Sequence, residues 1–339
     1  MNGKKHTIED IAVAAGVSRG TVSRVLNNHP SVSAATRERV MQVIESLNYR
    51  PNFSARHMRT ASSNLVGFGL IADEVITTPY AVDMIRGAQE ALWANNKVML
   101  VVNAGKQTEF TQYSLEAMME RRVEGIIYAA EYHQTVEIPP GLEGVPVVLA
   151  NCFAADRSLP SVVPDEEQGG YTATQTLLAK GHRRIGFINL GGDPVPVPAA
   201  TGRLRGYKKA LSEYDVPFDP ALVRDTGQTP KDNYEITLDL MSLPDPPTAI
   251  FCGNDRTAMG CYGALSHLGL RIPDDIAVMG FDNQKDIAAG LWPPLTTIQL
   301  PHYAMGAWAV KYLETYTGKD EHPAIQQLLP CPLVERASV

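Results

Sequence analysis

Arg19, Gly20, Ser23, Arg24 and Asn27 fall on one side of a helix wound through "RGTVSRVLN", and Val22, Val25 and Leu26 fall on the other. The apolar side can pack while the polar side stays free to hydrogen-bond. Arginine among small polar side chains is what meets base edges and phosphates in a DNA major groove, although a solvated helix on a small bundle would show the same two faces. A second polar group lies further along. Asp73, Asn103, Asn151, Asn254, Asp255 and Asp282 each stand at or just after the end of a β-rich apolar run. Carboxylates and amides converging at the carboxyl edge of a parallel sheet can hold a small polar ligand, whereas a single one of them, Asn103 for example, serves equally well as a helix cap.

The elements that position the first group are short. Thr7 caps a helix with Glu9 and Asp10 in its first turn and Ile8, Ile11, Ala12 and Ala15 at core spacing. Gly16 supplies a positive φ after it, and Ser18 caps the next helix two residues later. A third helix starts at Ser33, carries Val40, Val43, Ile44 and Leu47, and cannot pass Pro51. The trio reads as a helix-turn-helix unit. The basic piece from Asn52 to Thr60 is too short to hold a helix alone, and with the polar linker Ala61 to Asn64 it reads as a hinge that folds on binding.

The second group sits in a different kind of chain. From Leu65 onward, runs such as "LVGFGLI", "KVMLVVN", "VEGIIYA", "VPVVLAN", "RRIGFINL", "TAIFCGN" and "IAVMGFD" alternate with helical stretches, the pattern of βαβ units and a parallel sheet. At 339 residues the chain exceeds one ordinary core, so two or more units are expected. Charge divides the same way: residues 1–62 hold nine Lys/Arg against four Asp/Glu, a net +5, which leaves −12 for the remainder of a chain totalling −7. A basic segment on an acidic body suggests that only the first part meets a polyanion. No apolar run is long enough to span a bilayer, and the two lysines near Met1 have no apolar segment behind them, so the expected location is cytoplasmic. Cys152, Cys252, Cys261 and Cys331 lack metal-binding spacing and read as reduced core residues.

The segments "TIEDIAVAAGVSRGTVSRVLN", "VSAATRERVMQVIESLNYRPN" and "ARHMRT" resemble the lactose-repressor/galactose-repressor (LacI/GalR) family of bacterial transcription regulators. The likeness continues through "LLAKGHRRIGFINL", "GRLRGYKKAL", "AIFCGNDRTAMG" and "VMGFDN" to "PPLTTI", nearly the whole chain. It implies an all-α helix-turn-helix headpiece over 1–50, a hinge over 51–63, and an α/β two-lobed core of the type I periplasmic-binding-protein kind. One lobe would take 64–163 and 295–324, the other 164–294 and 325–339, with crossings near Val163-Pro164, Pro293-Pro294 and Ala324.

The resemblance also implies roles. Arg19 and Gly20 occupy the base-reading start of the second helix. Thr7, Ser18, Thr21, Ser23, Arg24, Asn27, Ser31, Tyr49, Asn52, Ser54 and Ala55 supply further DNA contacts, and Met58 stands where a minor-groove wedge is expected. Gly20 has no side chain to read a base, which leaves more of the specificity to Arg19. In the core, Arg203, Asn254 or Asp255, and Asp282 form a polar clamp, Asn151 and Asp73 contribute from the other lobe, and Tyr80 offers an aromatic wall. That set suits a polyol, since fixed carboxylates, amides and a guanidinium satisfy hydroxyl groups. Arg203 and Asp282 would equally make a structural ion pair, and Tyr80 and Trp292 ordinary core aromatics. Asn283, where relatives often have aspartate, and the Pro and Ala residues of "GGDPVPVPAATGR" depart from the purine-binding pattern and point to a carbohydrate effector. Tetramer-forming leucine heptads are missing after "LVERASV", which leaves a homodimer.

Two other functions compete. Gly67-Phe68-Gly69-Leu70-Ile71-Ala72 reads G-x-G-x-x-A, the outline of a nicotinamide-dinucleotide site, but its apolar residues continue a strand where such a site needs a turn. No Walker lysine, metal-spaced histidines or serine elbow is present, so neither an enzyme nor a cofactor is expected. The body alone would also suit a sugar-binding transport protein, against which the basic N-terminal unit argues. The expectation is an effector-controlled, sequence-specific DNA-binding repressor without a membrane partner.

Overall fold

In the computed structural model, which describes residues 6–26, 29–49, 63–71, 79–103, 108–142, 144–191, 197–227, 229–316 and 323–339, two units separate: Met1–Ser63 and Asn64–Val339. The first contains α1 (Ile8–Ala15), α2 (Arg19–Leu26) and α3 (Ala34–Ser46). Thr7 and Asp10 form a reciprocal capping box at the start of α1, and Gly16 ends it at φ 63°. The Ser18 hydroxyl accepts from the Thr21 amide at 3.1 Å and Ser33 caps α3 in the same way, so each helix start satisfies an otherwise orphaned donor. Ile11, Ala12, Ala15, Val22, Val25 and Val40 make the core, with Val43, Ile44, Leu47 and Tyr49 partly buried against it.

The second unit holds two six-stranded sheets. Its elements run β1 (Leu65–Ile71), α4 (Pro79–Ala94), β2 (Val98–Asn103), α5 (Thr108–Glu120), β3 (Ile126–Val136), β4 (Val147–Ala154) and β5 (Ser161–Pro164). They continue through α6 (Glu166–Ala179), β6 (Ile185–Asn189), α7 (Pro198–Glu213), β7 (Val223–Asp225), α8 (Pro230–Met241), β8 (Ala249–Cys252), α9 (Asp255–His267) and β9 (Ala277–Asp282). The rest is α10 (Lys285–Ala288), β10 (Thr296–Gln299), α11 (His302–Thr315), β11 (Gln326–Leu329) and β12 (Leu333–Val334). The first sheet is ordered β11-β5-β4-β3-β1-β2 and the second β12-β10-β9-β8-β6-β7, with all pairings parallel except β10 with β12. No described helix is long and apolar enough to cross a membrane.

Each sheet is covered on both faces, which is why its strands read as unbroken apolar runs. Val66, Phe68 and Leu70 of β1 face Met84, Ala88 and Leu92 of α4 and Met305 and Ala309 of α11. The glycines of β1 face the other way, toward α5, where a Cβ on Gly67 would lie 2.6 Å from Met118 Sδ. They pair within the ladder as Gly67 with Leu100 and Gly69 with Val102, so the G-x-G outline belongs to a packed strand rather than to a phosphate-binding turn.

Two expected crossings between lobes are corrected. Thr296–Gln299 pairs with β9 of the second sheet, so the chain leaves that lobe after Gln299 and not at Pro293-Pro294. Gln326–Leu329 pairs with β5 of the first sheet, so the return falls after Leu329 and not near Ala324. The physical reason is the same in both cases: each four-residue strand completes its ladder before the chain crosses, and the prolines before β10 only deliver the chain to it.

The helices α4 and α11 touch through reciprocal glycines. A Cβ on Gly87 would lie 2.0 Å from the Tyr303 carbonyl oxygen and one on Gly306 would lie 2.0 Å from that of Met84. Gly306→Ala must push the two helices apart and is expected to cost about 1–3 kcal/mol, or several degrees of melting temperature. Gly263, exposed in α9, meets only Tyr234 at 3.6 Å, and Gly263→Ala is expected to hold or raise stability by about 0.5–1 kcal/mol. Thermal unfolding of the two variants measures both.

Candidate functional site

Between the two sheets of the second unit lies a cleft of about 790 Å³. Its second-lobe side is built around Arg203, a residue of α7 that is only 2% exposed. Arg203 Nε donates to Glu166 Oε2 at 2.8 Å, its Nη1 donates to the Gly253 carbonyl, and its Nη2 lies 3.7 Å from Asp282 Oδ1. The guanidinium carbon stands 3.6 Å from the centre of the Phe281 ring. Burial works against ionisation of Glu166, but Arg203 and His133 more than offset it and hold the carboxyl down at about 2. Asp282 is pushed up to about 6 by burial, against the pull of Arg203.

Tyr80, at the start of α4 in the first lobe, donates its hydroxyl to Asp282 Oδ2 at 2.7 Å and accepts from the Gln284 side chain. The contact joins the lobes across the cleft. Burial, with Asp282 adding to it, raises the Tyr80 hydroxyl well above the ordinary tyrosine value. The Tyr80 ring lies edge-on to His302, the first residue of α11, at 5.3 Å between centres. Burial lowers the His302 imidazole to about 4, so it is neutral near pH 7.

The first-lobe wall comes from an irregular ladder. Ala129 pairs with Ala150 and Gln134 with Cys152, five steps on β3 against two on β4, and the excess carries Glu131, Tyr132 and His133 to the cleft. Asn151, at φ 59°, pins this bulge: its Nδ2 donates to the carbonyls of Ala130 at 3.1 Å and Glu131 at 3.2 Å.

Of the residues singled out in the sequence, Tyr80, Asn151, Arg203, Asn254 and Asp282 come together at the cleft. Asn254 also caps α9 by accepting from the Thr257 amide at 2.7 Å. Asp255 is corrected: it is fully buried behind the cleft, where its carboxyl accepts from the Thr297 hydroxyl and the Gln284 amide, both at 2.7 Å. It braces the loop that carries Asp282. Trp292 is 89% exposed and is neither a core aromatic nor a wall of the cleft. Asp73 lies outside the described residues. Glu166, His133 and His302 line the cleft without having been singled out. The one available signal was Glu166, an acid at the first position of α6, two residues past the end of β5.

In the first unit Thr7, Ser18, Arg19, Gly20, Arg24 and Ser31 are exposed, while Thr21, Ser23 and Tyr49 are half-buried. Tyr49 leans on the headpiece core, and the Ser31 hydroxyl is tied to His29 at 2.8 Å. Asn27, Asn52, Ser54, Ala55 and Met58 lie outside the described residues.

Comparison with known proteins decides the lineage. Residues 7–52 match "Bacterial regulatory proteins, lacI family" and residues 174–339 match "Periplasmic binding protein-like domain". The chain is 36% identical to the sucrose operon repressor of Escherichia coli over 339 residues, covering 98% of this chain and 99% of that one. The chain belongs to the LacI family. Another LacI-family relative, catabolite control protein A of Priestia megaterium, is 33% identical over 93% of each chain. Among solved structures, the lac repressor dimer bound to operator and the anti-inducer ONPF superposes with a TM-score of 0.80 at 27% identity over 99% of each chain. The complex of the regulator CelR with cellobiose gives 0.69 at 29% identity over 98% of this chain and 100% of that one. These LacI-family relatives are DNA-binding transcription regulators, not enzymes.

The buried carboxyls give the cleft a pH signature. Asp255 is pushed up to about 8 by burial, with the neighbouring Asp282 adding to it. Its proton is therefore held more tightly in the folded chain than in the unfolded one, so the stability it contributes is complete below about pH 4 and is lost as pH rises through 8. His302 and Glu166 act in the opposite direction, but only below about pH 6.5 and 4.5 respectively. Between pH 6.5 and 8.5 stability is expected to fall by up to about 1.4 kcal/mol per pH unit. Asp255→Asn, which leaves the Gln284 amide poorly paired, should begin less stable but show a flat profile. Denaturant melts across that window measure the two slopes.

Proposed function

We propose that the chain is a cytoplasmic repressor that binds operator DNA as a homodimer and whose operator affinity is set by a small carbohydrate held in the cleft. One observation carries the reading: a helix whose exposed face bears Arg19 and Arg24 shares a chain with a cleft that gathers Arg203, Asp282, Asn254, Asn151 and Tyr80. The relatives support it, since one is a sucrose operon repressor, one was solved on operator DNA and one holds cellobiose. Twofold operators mirror twofold proteins, and one short headpiece spans few base pairs, which favours the dimer.

In this reading the headpiece spans 1–50 and the hinge 51–63. Arg19 reads a base edge, Ser18, Thr21, Ser23, Arg24 and Asn27 hold bases or phosphates, and Thr7, Ser31, Tyr49, Asn52, Ser54 and Ala55 add contacts around them. Met58 wedges into the minor groove. Ligand hydroxyls compete with Tyr80 and Gln284 for Asp282, so occupancy alters the contact that joins the lobes. The angle between lobes then sets whether the hinges of two protomers meet. An effector acts only through its different affinities for the two arrangements.

Operator affinity of Arg19→Ala tests the reading. A loss of about 1–3 kcal/mol on the operator, with little change on random DNA, is expected for a guanine contact. Equal weakening on both would make Arg19 a phosphate contact, and no operator preference in the unaltered protein would refute the proposal.

A further inference from the structure

The first-lobe wall of the cleft contains buried polar atoms without a hydrogen-bond partner among the described residues. His133 is 8% exposed; its Nδ1 stands at ion-pair distance, 3.5 Å, from Glu166 Oε1, and its Nε2 has no hydrogen-bond partner among the described residues. His302 is 5% exposed with Nε2 unmet. Asn151 is 2% exposed, and with its amide nitrogen engaged by the bulge, Oδ1 is left over. Buried polar groups are ordinarily paired, and three side chains that each leave an atom unmet in one cavity mark a surface made for a hydrogen-bonding guest.

The chemistry of these groups restricts the guest. At His302 one N–H donor and one lone pair match a hydroxyl group that both donates and accepts, and at His133 the Nε2 left over beside the Glu166 contact is what a ligand hydroxyl can meet. His302 is held neutral by burial and brings no positive charge. Around it the cleft presents the carboxyls of Glu131, Glu166, Asp225 and Asp282 against the guanidiniums of Arg203 and Arg256. Arg203 is already engaged by Glu166, Gly253 and Asp282. A phosphate dianion set against that wall would meet like charge in a partly dehydrated space, whereas an uncharged hydroxylated ligand would not.

Resting on the effector reading above, we propose that His133 and His302 are specificity-determining residues of the cleft and that they select an unphosphorylated saccharide over its phosphorylated form. Each imidazole takes a ligand hydroxyl as its hydrogen-bond partner. Asn151 Oδ1 accepts a third from the same wall.

The test is calorimetric titration of the full chain with sucrose, maltose, cellobiose and glucose, and in parallel with sucrose 6-phosphate and glucose 6-phosphate. At least one neutral sugar is expected to bind, at least tenfold more tightly than its phosphorylated form. His133→Leu and His302→Phe are each expected to weaken that sugar about tenfold, the loss of one buried hydrogen bond. His133→Asn and His302→Gln, which keep a hydrogen-bonding nitrogen, should recover most of the affinity and serve if the apolar variants fail to fold, as judged by their melts. Tighter binding of a phosphorylated sugar overturns the proposal. Unchanged neutral-sugar affinity in the folded His133 and His302 variants overturns it as well. So does operator binding by the unaltered chain with no response to any of the four neutral sugars, a result that leaves the DNA-binding reading standing. Failure to bind any operator overturns both.

Discussion

A guanidinium buried to 2% exposure is tolerated only where oxygen atoms surround it, and in this chain Arg203 sets that demand on everything nearby. Glu166, Gly253 and Asp282 meet its nitrogens, and Phe281 covers its face. For Glu166 to reach it, α6 and α7 must pack almost backbone to backbone. A Cβ on Gly170 would lie 2.4 Å from the Arg203 carbonyl oxygen and one on Gly206 would lie 2.2 Å from that of Glu167. The glycines of "EEQGGY" and "RLRGY" are thus consequences of the ion cluster. An unpaired charge at this depth would cost about 3–5 kcal/mol, more than the close contact of two helices would return.

The cluster also fixes what lies behind it. Asp282 ends β9 at φ 107°, and the loop that follows is held by the Asp255 carboxyl, which reaches both β10 through Thr297 and the loop through the Gln284 amide. Two neighbouring acids therefore divide their duties: one faces the cleft and one holds the loop. Their raised pKa values follow from burial, which outweighs the pull of Arg203 on Asp282 and is reinforced at Asp255 by the neighbouring Asp282.

Much of this was legible in the sequence, and the failures have physical causes. Strand ends followed by polar residues pointed to Asn151, Asn254 and Asp282, because a parallel sheet delivers its carboxyl ends to one edge. The same rule could not separate Asn254 from Asp255, since adjacent residues at a helix start diverge by direction alone. His133 was invisible because it arrives through a bulge, and a bulge depends on the pairing partner, not on the strand's own pattern. Glu166 occupies the first turn of a helix, where an acid is favourable in any case, and nothing local shows that Arg203 waits beside it. The headpiece was easier. Its caps, turn glycine and helical spacing are all local, whereas β10 and β11 are strands only because β9 and β5 pair with them.

In the proposed function, Asp282 links these arrangements to regulation. One carboxyl oxygen faces Arg203 in its own lobe and the other accepts the Tyr80 hydroxyl from the opposite lobe. On the far side of the same cluster Glu166 stands beside His133, again one residue from each lobe. Both links pass through the place a guest would occupy, so a guest must either replace them or add to them. Moving a two-state equilibrium from almost wholly one arrangement to almost wholly the other takes about 5.5 kcal/mol of differential affinity. A few buried, charge-assisted hydrogen bonds of about 1.5–3 kcal/mol each supply that amount, and in the proposed homodimer two clefts contribute. On the proposed function, a site of this size governs the lobes without any large apolar rearrangement, because a few such bonds gained in one arrangement and absent from the other, summed over two clefts, reach the gap that has to be crossed.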